Sequence, residues 1–393
     1  MDYSFFTPCL QYIEQSLTSL ELHFLGKVVP ALSKILAVCR NLTGIRFCAP
    51  SSATAFGGLA LPFTTSLRDV ALEVPNASQI TANLIPLFQC SPHIQNLVVH
   101  GCNTDIYRAI HDHCPNIRLF KPESLYPLSE FKHIYSSNER NGMTVLHVDE
   151  PSSSDAIAPL LDKHRLSLQF LDITLRHFDS WGNIAFDLPN LTRLTLCQVP
   201  STVANQLPFL LDTCRKLERL HLYQIHAMPP QVLEIASKLR QLSCLLMHKV
   251  DFSEQSMLGF LRRIQSQQDE KRPGLAALTI YSEREISGAV LVAWANISTL
   301  IRLSIASFSR MNVKDERDFA IGLGRLPNLQ DLCLADMTLS KESLLPIAEN
   351  KTLLAVGLYD IQRLTEDQVR DAFSSNVNVR LAFKEYESEG CQL

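Results

Sequence analysis

The chain has 393 residues, of which 46% are hydrophobic and 19% are charged, and its 36 basic and 40 acidic residues give a formal net charge of −4 at pH 7. This composition supplies enough apolar surface for a large core and excludes an intrinsically disordered protein. The balanced charge excludes a broad basic field, so we expect neither nucleic acid nor a membrane as a partner.

The N-terminal residues and the cysteines indicate a reducing compartment. Residues 1–4 lack the basic and apolar regions of a signal peptide. The 11 cysteines form an odd set without a Cys-x-x-Cys pair, which favours reduced thiols. The most apolar stretch, 286–297, is shorter than the roughly 20 residues that cross a bilayer. We therefore expect an intracellular protein, cytoplasmic or nuclear.

The first predicted element is an incomplete repeat helix over residues 1–16, in which Leu10 and Ile13 follow helical spacing. From Leu17 onward one pattern recurs: an apolar residue, two variable residues, then apolar, variable and apolar residues. This alternation is that of a β-strand. The clearest copies are 17–22, 191–196, 217–222 and 329–334. Weaker copies begin at Leu42, Leu67, Ile94, Met143, Leu168, Leu242, Leu275, Leu300 and Leu353, and degenerate copies lie near Ile117 and Asn378.

The spacing of these starts predicts the fold. The first and last of the fifteen lie 361 residues apart over 14 intervals, a mean of about 26 residues, and leucine-rich repeats have roughly 20 to 29. Helical spacing follows the strands, as in 28–39 and 207–214. We therefore predict an α/β fold: a single leucine-rich-repeat solenoid, or horseshoe, over residues 1–393. Its curved parallel β-sheet would line the concave face, and its helices the convex face.

Three stretches interrupt the repeats and are predicted to be loops, namely 49–65, 121–141 and 265–274. Insertions in a solenoid map to surface loops. The tail 384–393 is polar and acidic, as expected of a segment that meets water.

A cysteine stands just before several strand starts, as in Cys39-x-x-Leu42, Cys114-x-x-Ile117 and Cys214-x-x-Leu217, with Cys90 one residue further from Ile94. In this feature the chain resembles the cysteine-containing leucine-rich repeats of F-box proteins and of the ribonuclease-inhibitor-like superfamily. The resemblance covers nearly the whole chain. It implies that the thiol before each strand is a buried packing site.

The resemblance also implies a function, recognition of substrate proteins for an SCF-type ubiquitin ligase. In such proteins an F-box, which binds the Skp adaptor, precedes the repeats, and none is recognisable ahead of Leu17. Contact with a Skp adaptor or a cullin is therefore expected only if an F-box is supplied upstream. The alternative is a stand-alone leucine-rich-repeat scaffold or inhibitor that is unrelated to ubiquitination.

The sequence offers no motif for catalysis, a cofactor or a metal. His111-x-His113-Cys114 has residue types that bind zinc, but no matching Cys or His pair follows at finger spacing. Candidate Ser, His, Asp and Cys residues lack a local signature such as Gly-x-Ser-x-Gly. We therefore predict a non-catalytic protein without a metal or a cofactor.

The variable strand positions are the candidate site, because alternation directs them away from the core and onto the concave face. They are His147, Asp149, Phe170, Asp172, Arg193, Arg219, His221, Tyr223, His248, Tyr281 and Arg302. Arginine and tyrosine are enriched where binding energy concentrates, and an Arg/His/Tyr patch on adjacent repeats suits an acidic or phosphorylated protein segment. The competing interpretation is that exposed strand positions are polar for solubility alone.

Overall fold

The computed structural model describes residues 16–24, 31–48, 61–73, 81–99, 102–121, 142–148, 154–176, 187–267, 274–309, 311–376 and 378–383. These residues belong to two compact units, Met1–Asn190 and Leu191–Leu393. Each unit is a stack of strand-and-helix repeats. The single domain over residues 1–393 stays a prediction.

The first unit contains seven described strands and four described helices, and its strands pair in parallel with their neighbours in chain order. The strands are β1 (Ser19–His23), β2 (Gly44–Cys48), β3 (Asp69–Glu73), β4 (Asn96–Val99), β5 (Leu119–Lys121), β6 (Val145–Val148) and β7 (Phe170–Thr174). The helices are α1 (Leu32–Val38), α2 (Thr81–Cys90), α3 (Thr104–His113) and α4 (Ser154–His164).

The second unit contains eight described strands and eight described helices, again with parallel pairing in chain order. The strands are β8 (Arg193–Cys197), β9 (Arg219–Tyr223), β10 (Cys244–His248), β11 (Ala277–Ser282), β12 (Arg302–Ser309), β13 (Asp331–Met337), β14 (Ala355–Tyr359) and β15 (Arg380–Ala382). The helices are α5 (Ser201–Ala204), α6 (Leu207–Thr213), α7 (Pro230–Ala236), α8 (Glu254–Gln267), α9 (Gly288–Trp294), α10 (Val313–Arg325), α11 (Lys341–Ala348) and α12 (Glu366–Ala372).

The strand pattern of the sequence predicted this architecture closely. Every strand begins two residues after its predicted start, including the degenerate copies at Ile117 and Asn378, which lead into β5 and β15. Parallel strands require a crossover connection between them, and each described helix lies in one of these crossovers. The predicted α/β leucine-rich-repeat solenoid is therefore confirmed as the fold class.

The core of each unit lies between its strands and its helices. Leu194, Leu220 and Leu245 occupy equivalent strand positions and are fully buried. Cys39, Cys114 and Cys214 are buried as predicted, whereas Cys90 is only half-buried. Burial raises the pKa of the Cys114 thiol to about 12. These three cysteines therefore act as small apolar packing residues.

Two of the predicted loops include residues that belong to a strand or a helix in the structure. Lys121, placed at the start of the loop 121–141, belongs to β5 and is only 4% exposed. Residues 265–267 belong to α8, where the Gln265 amide donates to the Ala293 carbonyl at 3.0 Å and the Gln267 amide to the Ser237 carbonyl at 3.1 Å. Contacts with neighbouring repeats therefore extend the ordered elements beyond the hydrophobic pattern.

Among the helices of the described ranges, none combines the length and the apolar character needed to span a membrane.

Candidate protein-binding face

We call the side of each stack that carries the variable strand positions the open face. In a parallel pair, residues in register lie side by side on the same face, roughly 4.8 Å apart. In the second unit the open face therefore has three rows, from the first, third and fifth residues of each strand. The first row includes Arg193, Arg219 and Cys244, and the last includes Tyr223 and His248.

The first-unit residues predicted for the site do not form one polar patch. His147 and Asp172 lie in register and are paired to each other, with Nδ1 3.0 Å from the carboxylate oxygen. Phe170 packs against a hydrophobic cluster made by Ala71, Val98, Leu119 and Val145. Asp149 lies outside the described residues. The three described positions, His147, Phe170 and Asp172, are thus engaged by the fold itself.

The second unit brings the remaining predicted residues together. Arg193 lies in register with Arg219, and both belong to the first row of the open face. In the described part of the chain neither guanidinium has a carboxylate partner. Arg302 differs, because its Nε lies 2.9 Å from the Asp331 carboxylate on the next strand. Two uncompensated positive charges therefore stand side by side on β8 and β9.

Three aromatic rings form a ladder along the last row of the open face. The ring centroids of Tyr223 and His248 are 5.8 Å apart with an interplanar angle of 44°, and those of His248 and Tyr281 are 4.5 Å apart at 15°. Burial, and secondarily the charge of Lys249, lowers the pKa of His248, which favours its neutral form. The ladder is therefore an uncharged, half-buried surface on the same open face as the arginine row.

Cys244 belongs to the first row, next to Arg219, and His221 belongs to the middle row, between the arginine row and the ladder. The Sγ atom of Cys244 is 3.8 Å from Nε2 of His221, and both side chains are buried. Burial raises the pKa of Cys244, so this pair lacks the thiolate that nucleophilic chemistry requires. His221 was predicted as an exposed contact residue, and this was wrong: it is only 5% exposed, because its neighbours in the sheet cover it.

Two charged residues, Lys249 and Glu283, lie next to the ladder and were not predicted from the sequence. Lys249 follows β10 with a φ of 53°, in the left-handed region, and its N–H donates to the Tyr281 carbonyl at 2.8 Å. Its ammonium lies 5.8 Å from the centre of the Tyr281 ring and 2.6 Å from a carboxylate oxygen of Glu283. The same turn recurs at Gln198 and Gln224, with φ of 54° and 52°.

A shallow pocket of about 330 Å³ lies where β10 and β11 end. Its lining includes the apolar residues Val250 and Ile286 and the acidic residues Asp251, Glu254 and Glu285. An arginine, Arg284, lies 2.7 Å from the Asp251 carboxylate. Glu254 accepts a hydrogen bond from the Ser287 hydroxyl at 2.8 Å, so two of the three carboxylates are engaged within the protein.

Metal binding has no geometric basis in the described ranges, where no group of three or more His, Cys, Asp or Glu side chains could hold an ion. In α3 the ring of His111 is instead engaged with Asp112, with Nδ1 2.8 Å from the carboxylate oxygen.

Four residues of this face were not predicted from the sequence: Thr195, Cys244, Lys249 and Glu283. Thr195 and Cys244 alternate with buried leucines, so the period of the strand marked them, but neither residue type stands out as a binding residue. Lys249 and Glu283 lie after their strands, where the alternation gives no signal.

The chain is similar in structure to solved leucine-rich-repeat proteins. The LRR protein LIC12759 of Leptospira interrogans matches with a TM-score of 0.51 and 15% identity, over 96% of this chain and 98% of that one. A chain of the crystal structure of the yeast Rad7 and Elc1 complex matches with a TM-score of 0.48 and 14% identity, over 95% of this chain and 91% of that one. No protein-family model and no curated protein matches the chain. The similarity to the Leptospira protein shows that the chain has the leucine-rich-repeat fold.

Proposed function

We propose that this chain is a non-catalytic protein-binding module whose second-unit open face holds an acidic segment of a partner protein. The observation that carries the proposal is the pair of uncompensated guanidiniums, Arg193 and Arg219, on the same open face as the ladder of Tyr223, His248 and Tyr281.

The chemistry of these groups supports an acidic protein segment. Arginine binds carboxylates with two parallel hydrogen bonds, and tyrosine offers large apolar area with little loss of side-chain freedom. Both residue types are frequent where binding energy concentrates. Because the first and fifth residues of a strand lie roughly 13 Å apart, an extended segment lying along β9 would contact the arginine row at Arg219 and the ladder at Tyr223.

The experiment compares two double variants of the purified chain. Arg219→Ala/Tyr223→Ala removes one group from each surface, whereas Arg262→Ala/Phe209→Ala removes an arginine and an aromatic residue from exposed positions on α8 and α6. A partner is identified as a protein that is cross-linked by the wild type and the control but not by the first variant. We expect that variant to bind the purified partner about 100-fold more weakly.

Ionic strength provides an independent measurement on the same complex. Because the proposed contact is between opposite charges, its affinity falls as salt screens them. An affinity that neither variant changes and that is insensitive to salt would contradict the proposal.

The finer role that we propose is substrate recognition for an SCF-type ubiquitin ligase in the cytoplasm or the nucleus. Its support is the sequence resemblance to the cysteine-containing repeats of F-box proteins. Purification of the native full-length product tests it: a bound Skp adaptor and cullin would support this role. Their absence, with the partner still bound, would instead favour a stand-alone scaffold or inhibitor.

A further inference from the structure

We infer that Arg193, Arg219 and Thr195 form a phosphate site, which makes the bound segment a phosphorylated one. This inference rests on the proposed function, because it specifies the ligand of the same open face.

The first argument is the electrostatic cost of the arginine pair. Arg193 and Arg219 stand directly side by side on neighbouring strands, where like charges destabilise a sheet. Arg302 shows how this fold compensates such a charge, because Asp331 lies in register with it at 2.9 Å. In the described residues no carboxylate does the same for Arg193 or Arg219. An anion held between the two guanidiniums would remove the repulsion.

The second argument is a buried hydroxyl on the same face. Thr195 lies two residues after Arg193, roughly 6.6 Å along the strand. It is only 5% exposed, and its Oγ1 has no hydrogen-bond partner in the described structure. A buried polar atom without a partner destabilises the protein, and such an atom calls for an explanation. A ligand oxygen above β8 and β9 would accept a hydrogen bond from this hydroxyl.

The third argument is the match of charge and donors, which favours phosphate over carboxylate. A phosphate monoester carries a charge of about −1.5 to −2 and three acceptor oxygens, so it can neutralise both guanidiniums and still accept from a hydroxyl. A glutamate carries one charge and leaves one arginine uncompensated. The neighbouring Cys244 thiol adds no opposing charge, because burial raises its pKa and keeps it protonated.

The test uses the purified full chain and two probes. The first is inorganic phosphate, titrated against sodium chloride at constant ionic strength and followed by the melting temperature. The second is a degenerate peptide library whose fixed central residue is phosphoserine, glutamate or serine. We expect phosphate to raise the melting temperature, and the peptides to bind in the order phosphoserine, glutamate, serine.

Single variants assign the site. Arg193→Gln and Arg219→Gln should each weaken phosphate binding about 10-fold or more, and Thr195→Val, which keeps the side-chain shape, about 5-fold. Without phosphate, both arginine variants should melt about 1 °C higher, because the repulsion is gone. Arginines that only support the fold would instead lower the melting temperature. Arg262→Gln, on α8, is the control and should leave both measurements unchanged.

Three results would overturn the phosphate site: unchanged phosphate binding in both arginine variants, a lower phosphate-free melting temperature in both, or equal affinity for the phosphoserine and glutamate libraries. If partner binding were still lost in Arg219→Ala/Tyr223→Ala, the proposed function would stand and only the phosphate assignment would fail. Partner binding that is insensitive to that double variant would refute the proposed function instead.

Discussion

The open faces of the two units differ in part although the same strand pattern builds both. In the first unit Ala71, Val98, Leu119 and Val145 make a hydrophobic cluster, in which each residue is at most 7% exposed. In the second unit the corresponding surface carries charged arginines and half-buried rings. Alternation therefore determines which side of the sheet a residue faces, and the neighbouring repeats determine whether that side is buried.

The largest expected effect comes from removing the centre of the first-unit cluster. Leu119→Ala deletes a fully buried side chain, and we expect it to lower the free energy of unfolding by about 2–5 kcal/mol. Arg219→Ala is the matched change in the first row of the second unit, where the side chain is exposed. Because no buried contact is lost, its effect should stay within about 0.5 kcal/mol.

Urea unfolding, followed by circular dichroism, measures both variants. Equal destabilisation by the two substitutions would contradict the difference in burial between Leu119 and Arg219.

A buried histidine in the first unit gives that unit a pH dependence. His164 is 4% exposed, its Nδ1 accepts from the Met143 N–H at 3.0 Å, and burial lowers its pKa to about 4. The unfolded chain takes up a proton near pH 6.5 and the folded chain only near pH 4. Stability is therefore fully present above pH 6.5 and falls as the pH drops to 4, by up to about 3 kcal/mol.

Urea midpoints measured between pH 7 and pH 4 test this prediction. His164→Gln should flatten the fall, whereas His226→Gln, at an exposed position in the second unit, should leave it in place. A profile that His164→Gln does not alter would refute the assignment.

Two helical glycines of the second unit, Gly324 and Gly259, differ in the space that surrounds them. A Cβ at Gly324 of α10 would collide with the backbone carbonyl of Pro346 on α11, whereas a Cβ at Gly259 of α8 would meet nothing within 4 Å. We expect Gly324→Ala to destabilise by about 1–3 kcal/mol and Gly259→Ala to stabilise by up to about 1 kcal/mol. Melting temperatures of the two variants measure this, and shifts of the same sign would count against it.

The fold was predictable because its signal is local. Leucine-type residues at fixed spacing mark each strand, so even Ile117 and Asn378 led to correct strand starts. The boundaries of α8 were not predictable, because its last residues are held by side-chain hydrogen bonds to other repeats. Such bonds connect residues about 30 positions apart, and no periodicity reports them.

The sequence predicted which face of the sheet carries the candidate site residues, but not which of them pair with other side chains. Alternation placed Arg193, Arg219, Tyr223, His248 and Tyr281 on one face correctly. It could not tell that Asp331 neutralises Arg302 or that Asp172 holds His147, since those pairs depend on register between neighbouring strands. It also could not show that the rings of His248 and Tyr281 stack.

The buried thiols before the strands have a practical consequence. Cys114 lies in the first unit and Cys214 in the second, and both are inaccessible in the native state. A thiol that is shielded from solvent reacts with alkylating reagents only when its surroundings open. Mass-spectrometric alkylation rates at these two positions therefore report the opening of each unit separately, without any introduced label.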